Sequence, residues 1–158
     1  MRVSIRPARP DDLPGIARLA GELVRLHYAF DPRRFLLVDD VEAGYARFFQ
    51  RELESAKALL LAVEAEGDIV GYSYARLEAR DWNALLDEHA ALHDIFVAEA
   101  ARGSGVGERL LQLTLAELRK KGAKLVILHT ATANTAAQRL FAKAGFRVSM
   151  LEMSATLD

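Results

Sequence analysis

Three glycines in five residues, Gly103, Gly105 and Gly107, stand between an apolar stretch ending at Val97 and an amphipathic stretch opening at Val106. No other feature restricts the chain as much. Glycine enters the positive-φ region without steric cost, so the cluster predicts a tight strand-to-helix turn. The first amides of the following helix would point outward and favour an anion, and Arg102 adds a positive charge at the loop entrance. A phosphate or pyrophosphate suits such a loop. Two familiar phosphate loops do not fit. No lysine follows the glycines, as a P-loop requires. A dinucleotide fingerprint needs G-x-G-x-x-G after an early strand, with an acidic residue about 20 positions on. Here the spacing is G-x-G-x-G, and that later position falls in the apolar run Leu125-Val126-Ile127-Leu128.

Around this loop the hydrophobic period switches between 2 and 3.6. Val3 and Ile5 mark a short strand, and Pro14 suits the first turn of a helix reaching about Leu26. Residues 27–38 read as a loop. Asp39 and Glu42 form a capping box opening a second helix with Val41, Tyr45, Phe48, Phe49 and Leu53 inward. Strands follow over 58–64 and 69–77, joined by a turn at Glu66-Gly67-Asp68; residues 79–90 read as a loop or short helix, and 92–97 as a strand. Beyond the glycines lie a helix ended by Gly122, a strand over 125–130, a helix over 134–143 closed by Gly145, and a last strand from Phe146. The apolar residues of that last strand change parity near Met150, which predicts a bulge there. The order β-α-α-β-β-β-α-β-α-β predicts one α/β domain over residues 1–158 with a mixed sheet. The 158 residues, 51% apolar and 27% charged, suffice for one core.

Arg102-x-x-Gly105-x-Gly107, after a strand and opening a helix, resembles the acyl-CoA pyrophosphate loop of the GNAT superfamily of N-acetyltransferases. Downstream, Asn134, Ala137, Leu140, Phe141, Gly145 and Phe146 resemble that family's second signature, N-x-x-A-x-x-L-Y-x-x-x-G-F. The order of elements along the chain matches as well. The resemblance implies a GNAT-like fold in which the strands at 92–97 and 125–130 run parallel and splay apart, with helices flanking the sheet. Acetyl-CoA would lie in that gap, its pantetheine arm pairing near Phe96 and Val97. Its pyrophosphate would rest on the amides of Arg102, Gly103, Ser104, Gly105, Val106, Gly107 and Glu108, with Asn134, Ala137 and Phe141 along the other wall. The family's tyrosine acid is replaced by Phe141, which has no proton to give. Water, Thr130 or Thr132 could supply part of that help.

An amine must be neutral to attack a thioester. With a pKa of about 10.4, a lysine-like amine is neutral roughly once in 2,500 molecules at pH 7, an entry cost of about 4.6 kcal/mol. A base beside the acceptor lowers that cost. Asp94, His93 and Glu78 are the candidates, with Asp94 preferred; strict alternation would send His93 and Asp94 to opposite faces of the sheet. His27, Tyr28, Phe30, Arg33, Arg34 and Phe35 offer aromatic surface and positive charge at the acceptor entrance, suited to an acceptor with a carboxylate or phosphate. His89 and His93 have an i, i+4 spacing but no third ligand, so no metal is expected.

The expected activity is transfer of acetyl from acetyl-CoA to a primary amine of a small molecule or peptide, by direct attack in a ternary complex. A weakly catalytic or non-catalytic acyl-CoA-sensing module, O-acyl transfer and a longer acyl donor stay open. A formal net charge of -1 argues against a nucleic-acid partner. The chain has no cysteine for disulfides or thiolate metal sites, no apolar run long enough to span a bilayer and no signal-peptide pattern, so a cytoplasmic protein without membrane attachment is expected. Resemblance also implies a homodimer.

Overall fold

In a computed structural model, which describes residues 2–158, five strands form one sheet in the order β1-β2-β3-β4-β5. They are β1 (Val3–Pro7), β2 (Ala58–Ala65), β3 (Asp68–Glu78), β4 (His89–Val97) and β5 (Val126–Leu128), flanked by helices α1 (Leu13–Phe30), α2 (Val41–Glu52), α3 (Val106–Lys120) and α4 (Thr135–Lys143). The first three pairings are antiparallel and β4–β5 is parallel. Glu66 (φ 52°) and Gly67 (φ 89°) give the β2–β3 turn the left-handed backbone of a tight hairpin.

The sheet separates two apolar clusters. On one face α1 and α2 bury Ile16, Leu19 and Phe49 against Leu60, Tyr72, Tyr74 and Phe96. On the other, α3 and α4 bury Leu110, Leu111, Leu118 and Phe141 against Leu61, Val63, Ala75, Leu92 and Val97. Ser73 and Thr114, both fully buried in this second layer, share a hydrogen bond of 2.7 Å, and Thr114 also reaches the Leu110 carbonyl.

Four expectations change. The first helix runs four residues beyond Leu26, so His27 and Phe30 are helical rather than in a loop. The capping box is absent: Asp40, in the left-handed region, is the N-cap of α2, and Glu42 instead pairs with Arg25 at 2.7 Å. Strand β4 starts three residues before Leu92, at His89, because the antiparallel ladder with β3 extends to Glu78. The last strand does not form, and residues 147–158 are exposed and outside the sheet. Its apolar residues have no neighbouring strand to pair with.

Candidate active site

Strand β4 carries the site, and its register explains why. Tyr74 lies opposite Asp94, and Ala75 opposite Leu92, so His93 is one residue more than its partner strand provides. That is a β-bulge. It corrects the expectation from strict alternation: Leu92 and Ile95 both turn to the α3 face, while His93 and Asp94 line one cavity on the α1–α2 face. The same bend marks where β4 leaves β5. Their parallel ladder covers only Ala90, Ala91 and Leu92 against Val126, Ile127 and Leu128, and beyond Leu92 the strands part.

The cavity, about 390 Å³, is lined by Tyr45, Phe48 and Glu52 of α2, Tyr74 and Arg76 of β3, and His93 and Asp94 of β4. Its floor is acidic. The Tyr72 hydroxyl donates a 3.0 Å hydrogen bond to the Asp94 carboxylate. Burial pushes the Asp94 carboxyl above its ordinary range, while the Tyr72 bond and the nearby His93 and His27 imidazoles oppose the shift. Burial also raises the Tyr45 phenol to about 12, with the Asp94 charge adding to it. Glu52 accepts from the Tyr74 hydroxyl at 2.9 Å and from Arg76 at 2.6 Å. The His93 ring stacks on Tyr74 at 5.5 Å, and its Nε2 lies 3.6 Å from Glu78. Glu78 itself does not line this cavity and borders it through His93 and through Arg76, 4.0 Å away.

Sequence reasoning passed over the contribution of α2 and β3. Tyr45, Phe48 and Glu52 share one helical face, and the first two read as core. The acid continuing their stripe at Glu52 was the available signal. Near the C-terminus of α1, His27 packs edge-on against Phe30 and against Phe35 of the following segment, and Arg34 pairs with Glu152.

At the other end of the gap, Gly103 (φ 87°) and Gly105 (φ 79°) hold the left-handed conformations that the turn requires, and Gly105 is the N-cap of α3. The first helical hydrogen bond runs from Arg109 to the Gly105 carbonyl, which leaves the amides of Val106, Gly107 and Glu108 without intrahelical partners. Arg102 donates from Nε to the Val97 carbonyl at 2.8 Å and lies over the Phe96 ring. Ser104 makes only a long 3.4 Å contact to the Ala101 carbonyl. The Glu108 carboxylate turns to Lys143, 2.8 Å away, and leaves its amide side open. Asn134 caps α4 by accepting from the Ala137 amide. Gln138 ties down the carbonyls of Ala131 and Thr132 beside it. Phe141 is buried against Phe146, with ring centroids 5.9 Å apart. Open amides, a positive entrance and a gap between parallel strands fit a long phosphorylated ligand with amide groups along its arm.

Residues 22–146 match the sequence profile of the Acetyltransferase (GNAT) family. Among curated proteins the chain is similar to an L-methionine sulfoximine/L-methionine sulfone acetyltransferase of Pseudomonas aeruginosa, 27% identical over 94% of this chain and 83% of that protein. Among solved structures it resembles a tetramutant of the BH1408 protein of Bacillus halodurans, with a TM-score of 0.83, 20% identity and coverage of 98% and 99%. It also resembles aminoglycoside N-acetyltransferase AAC(6')-Iy in complex with CoA, with a TM-score of 0.75, 17% identity and coverage of 99% and 95%. These two structures speak for the fold; the profile over most of the chain speaks for the family. With the glycine loop, the parting strands and that profile in agreement, the chain belongs to the Acetyltransferase (GNAT) family.

Proposed function

We propose that this acetyltransferase moves an acetyl group from acetyl-CoA to a primary amine of a small molecule, with Asp94 as the base. The observation that carries this reading is the Asp94 carboxylate. It is half-buried in the cavity wall, held by Tyr72, and sits two residues past the point where β4 and β5 part. In that position it can accept the proton an amine must lose before attack. Acetyl-CoA supplies the activated acetyl group; the amides of 106–108 and Arg102 would hold its pyrophosphate. With the ammonium proton on Asp94, the neutral nitrogen attacks the thioester carbonyl directly, the carbon–sulfur bond breaks to release CoA as the thiolate, and the second proton, shed as the amide forms, neutralises that thiolate.

The cavity supports a small acceptor. Its volume is at the low end of the range for small-ligand sites. Tyr45, Phe48 and Tyr74 offer faces for an organic body or an ammonium group, and the Glu52–Arg76 pair offers both an acceptor and a donor. Relatives named for methionine sulfoximine and for aminoglycosides act on small polar amines, which agrees with this composition. His93 could pass protons between Asp94 and Glu78 at the cavity mouth. Among the described residues no helix is long and apolar enough to cross a membrane, and the family resemblance supports a homodimer.

Phe141 favours a second reading, an acyl-CoA-sensing module without turnover, because no phenol stands in the wall. Thiol release from acetyl-CoA, followed over a panel of amino acids, amino sugars and polyamines, separates the two. Amine-dependent release supports the transferase; acetyl-CoA stabilising the fold with no release from any amine supports the sensor.

A further inference from the structure

Asp94 has titratable neighbours on every element packed against it, yet one of them alone bonds it. His27 of α1 donates its Nδ1–H to the Leu23 carbonyl, 2.8 Å away. His93 of β4 stacks on Tyr74 and turns its Nε2 toward Glu78. Tyr74 gives its hydroxyl proton to Glu52, which also takes the Arg76 charge. Tyr45 of α2 lines the same cavity and feels the Asp94 charge through space. Among the described residues, the one side chain that hydrogen-bonds Asp94 is Tyr72 of β3, whose hydroxyl donates to Oδ2 at 3.0 Å. Oδ1 is left without a side-chain partner.

The bond is built from rigid parts. Tyr72 lies opposite Phe96 and Tyr74 opposite Asp94, so the phenol reaches the carboxylate diagonally across the β3–β4 ladder. Its ring has no exposed surface and packs in the α1–α2 layer, edge-on to Phe49 at 5.9 Å. A wholly buried tyrosine needs a partner for its hydroxyl, and the bulge at His93 that turns Asp94 to this face provides one. Burial and the adjacent carboxylate push the Tyr72 phenol well above its ordinary value. It therefore stays a donor throughout the range in which a carboxylate ionises.

We infer that Tyr72 is a positioning residue for acetyl transfer: by holding Oδ2 it fixes the carboxylate plane and leaves Oδ1 to take the acceptor's proton. The inference rests on Asp94 being the base. In that step an N–H bond of the ammonium breaks and an O–H bond forms at Oδ1, while the Tyr72 proton stays on the phenol. The same hydrogen bond favours the charged carboxylate against the burial that opposes it, and the His27 and His93 imidazoles act in the same direction. Tyr72 thus sets how far into the acid range the base keeps working. A hydrogen bond to a charged group moves ionisation by about one pH unit or more.

Tyr72→Phe removes the donor and keeps the ring. The acid limb of the pH–rate profile should move up by about one pH unit, so activity at acid pH falls about tenfold further than on the alkaline plateau. The KM for acetyl-CoA should not change. A ring-fluorinated tyrosine at position 72 alone, a more acidic phenol and so a stronger donor, should move the limb the other way. The carboxyl carbon resonance of Asp94, titrated by NMR without substrate, should follow both shifts. A residue with a packing role only would lower the melting temperature and leave limb and resonance in place. That result, with Asp94→Asn still flattening the limb, overturns the inference and spares the base. A resonance that moves while the limb does not removes Asp94 as the base, and the role of Tyr72 in turnover falls with it. Should Tyr72→Phe fail to fold, the fluorinated protein, which keeps ring and hydroxyl, decides alone.

Discussion

A carboxylate taken partly out of water resists ionising, and Asp94 bears that cost in the cavity lined by α2, β3 and β4. Two consequences of opposite sign follow from its raised pKa. In the proposed role of base Asp94 must be ionised, so turnover should fall as pH drops through the raised value. For stability the folded chain holds this proton more tightly than the unfolded chain, whose aspartates ionise near 3.9. Charging Asp94 therefore costs stability as pH rises from that value through the folded one. Asp94→Asn should lower kcat by about 10²- to 10⁴-fold and flatten the acid limb of the pH–rate profile. Its melting temperature at pH 7 should not fall, because the amide keeps the shape and sheds the buried charge. A variant with wild-type pH–rate behaviour would move the base to His93 or Glu78. Phe141 poses the matching question for the leaving group. A thiol of pKa about 8.5 leaves tolerably as thiolate, and Phe141 is buried against Phe146. Phe141→Tyr should thus cost about 1–3 kcal/mol for an unpartnered hydroxyl and leave kcat unchanged. A tenfold rise in kcat at pH 7 would show that leaving-group protonation limits the natural chain.

At the scale of elements, the bulge at His93 couples the two halves of the site. It turns His93 and Asp94 to one face and coincides with the parting of β4 from β5. Deleting His93 should restore regular alternation with Asp94 still opposite Tyr74. The straightened strand should then narrow the gap, abolishing the thermal stabilisation by acetyl-CoA while the fold persists; an unchanged thermal shift would detach the bulge from ligand binding. The sequence contained this bulge. Ala90 and Leu92 share one parity and Ile95 and Val97 the other, yet the chain alternates apolar residues toward one layer throughout. The apolar parity of the sequence predicts such a switch near Met150, where no strand forms. The glycine loop was legible because its φ requirement is local, and Gly103 and Gly105 meet it. The capping box at Asp39 was not: Glu42 found a tertiary partner, Arg25, that no local pattern encodes. The cavity wall of Tyr45, Phe48 and Glu52 was hidden for the same reason, since only packing decides whether an inward helical face meets core or cavity.

For the whole molecule, one sheet serves two separate apolar layers, and Ser73–Thr114 pins β3 to α3 inside one of them. Both layers share the same strands, so neither can melt alone. Leu111→Ala in one and Phe49→Ala in the other, both fully buried, should each cost about 2–5 kcal/mol and shift a single cooperative urea transition. Two resolved transitions would mean that the layers fold independently. The parted strands also divide the labour of recognition. On the proposed donor side the groups without intrahelical partners are the main-chain amides of Val106, Gly107 and Glu108 at the α3 terminus, with Arg102 the charged side chain at the loop entrance. On the proposed acceptor side the cavity is lined by the side chains of residues 45, 48, 52, 74 and 76. A lineage of such chains can therefore exchange one acceptor for another through a few point substitutions, while its appetite for the acyl donor rides along unaltered, inherited with the backbone itself.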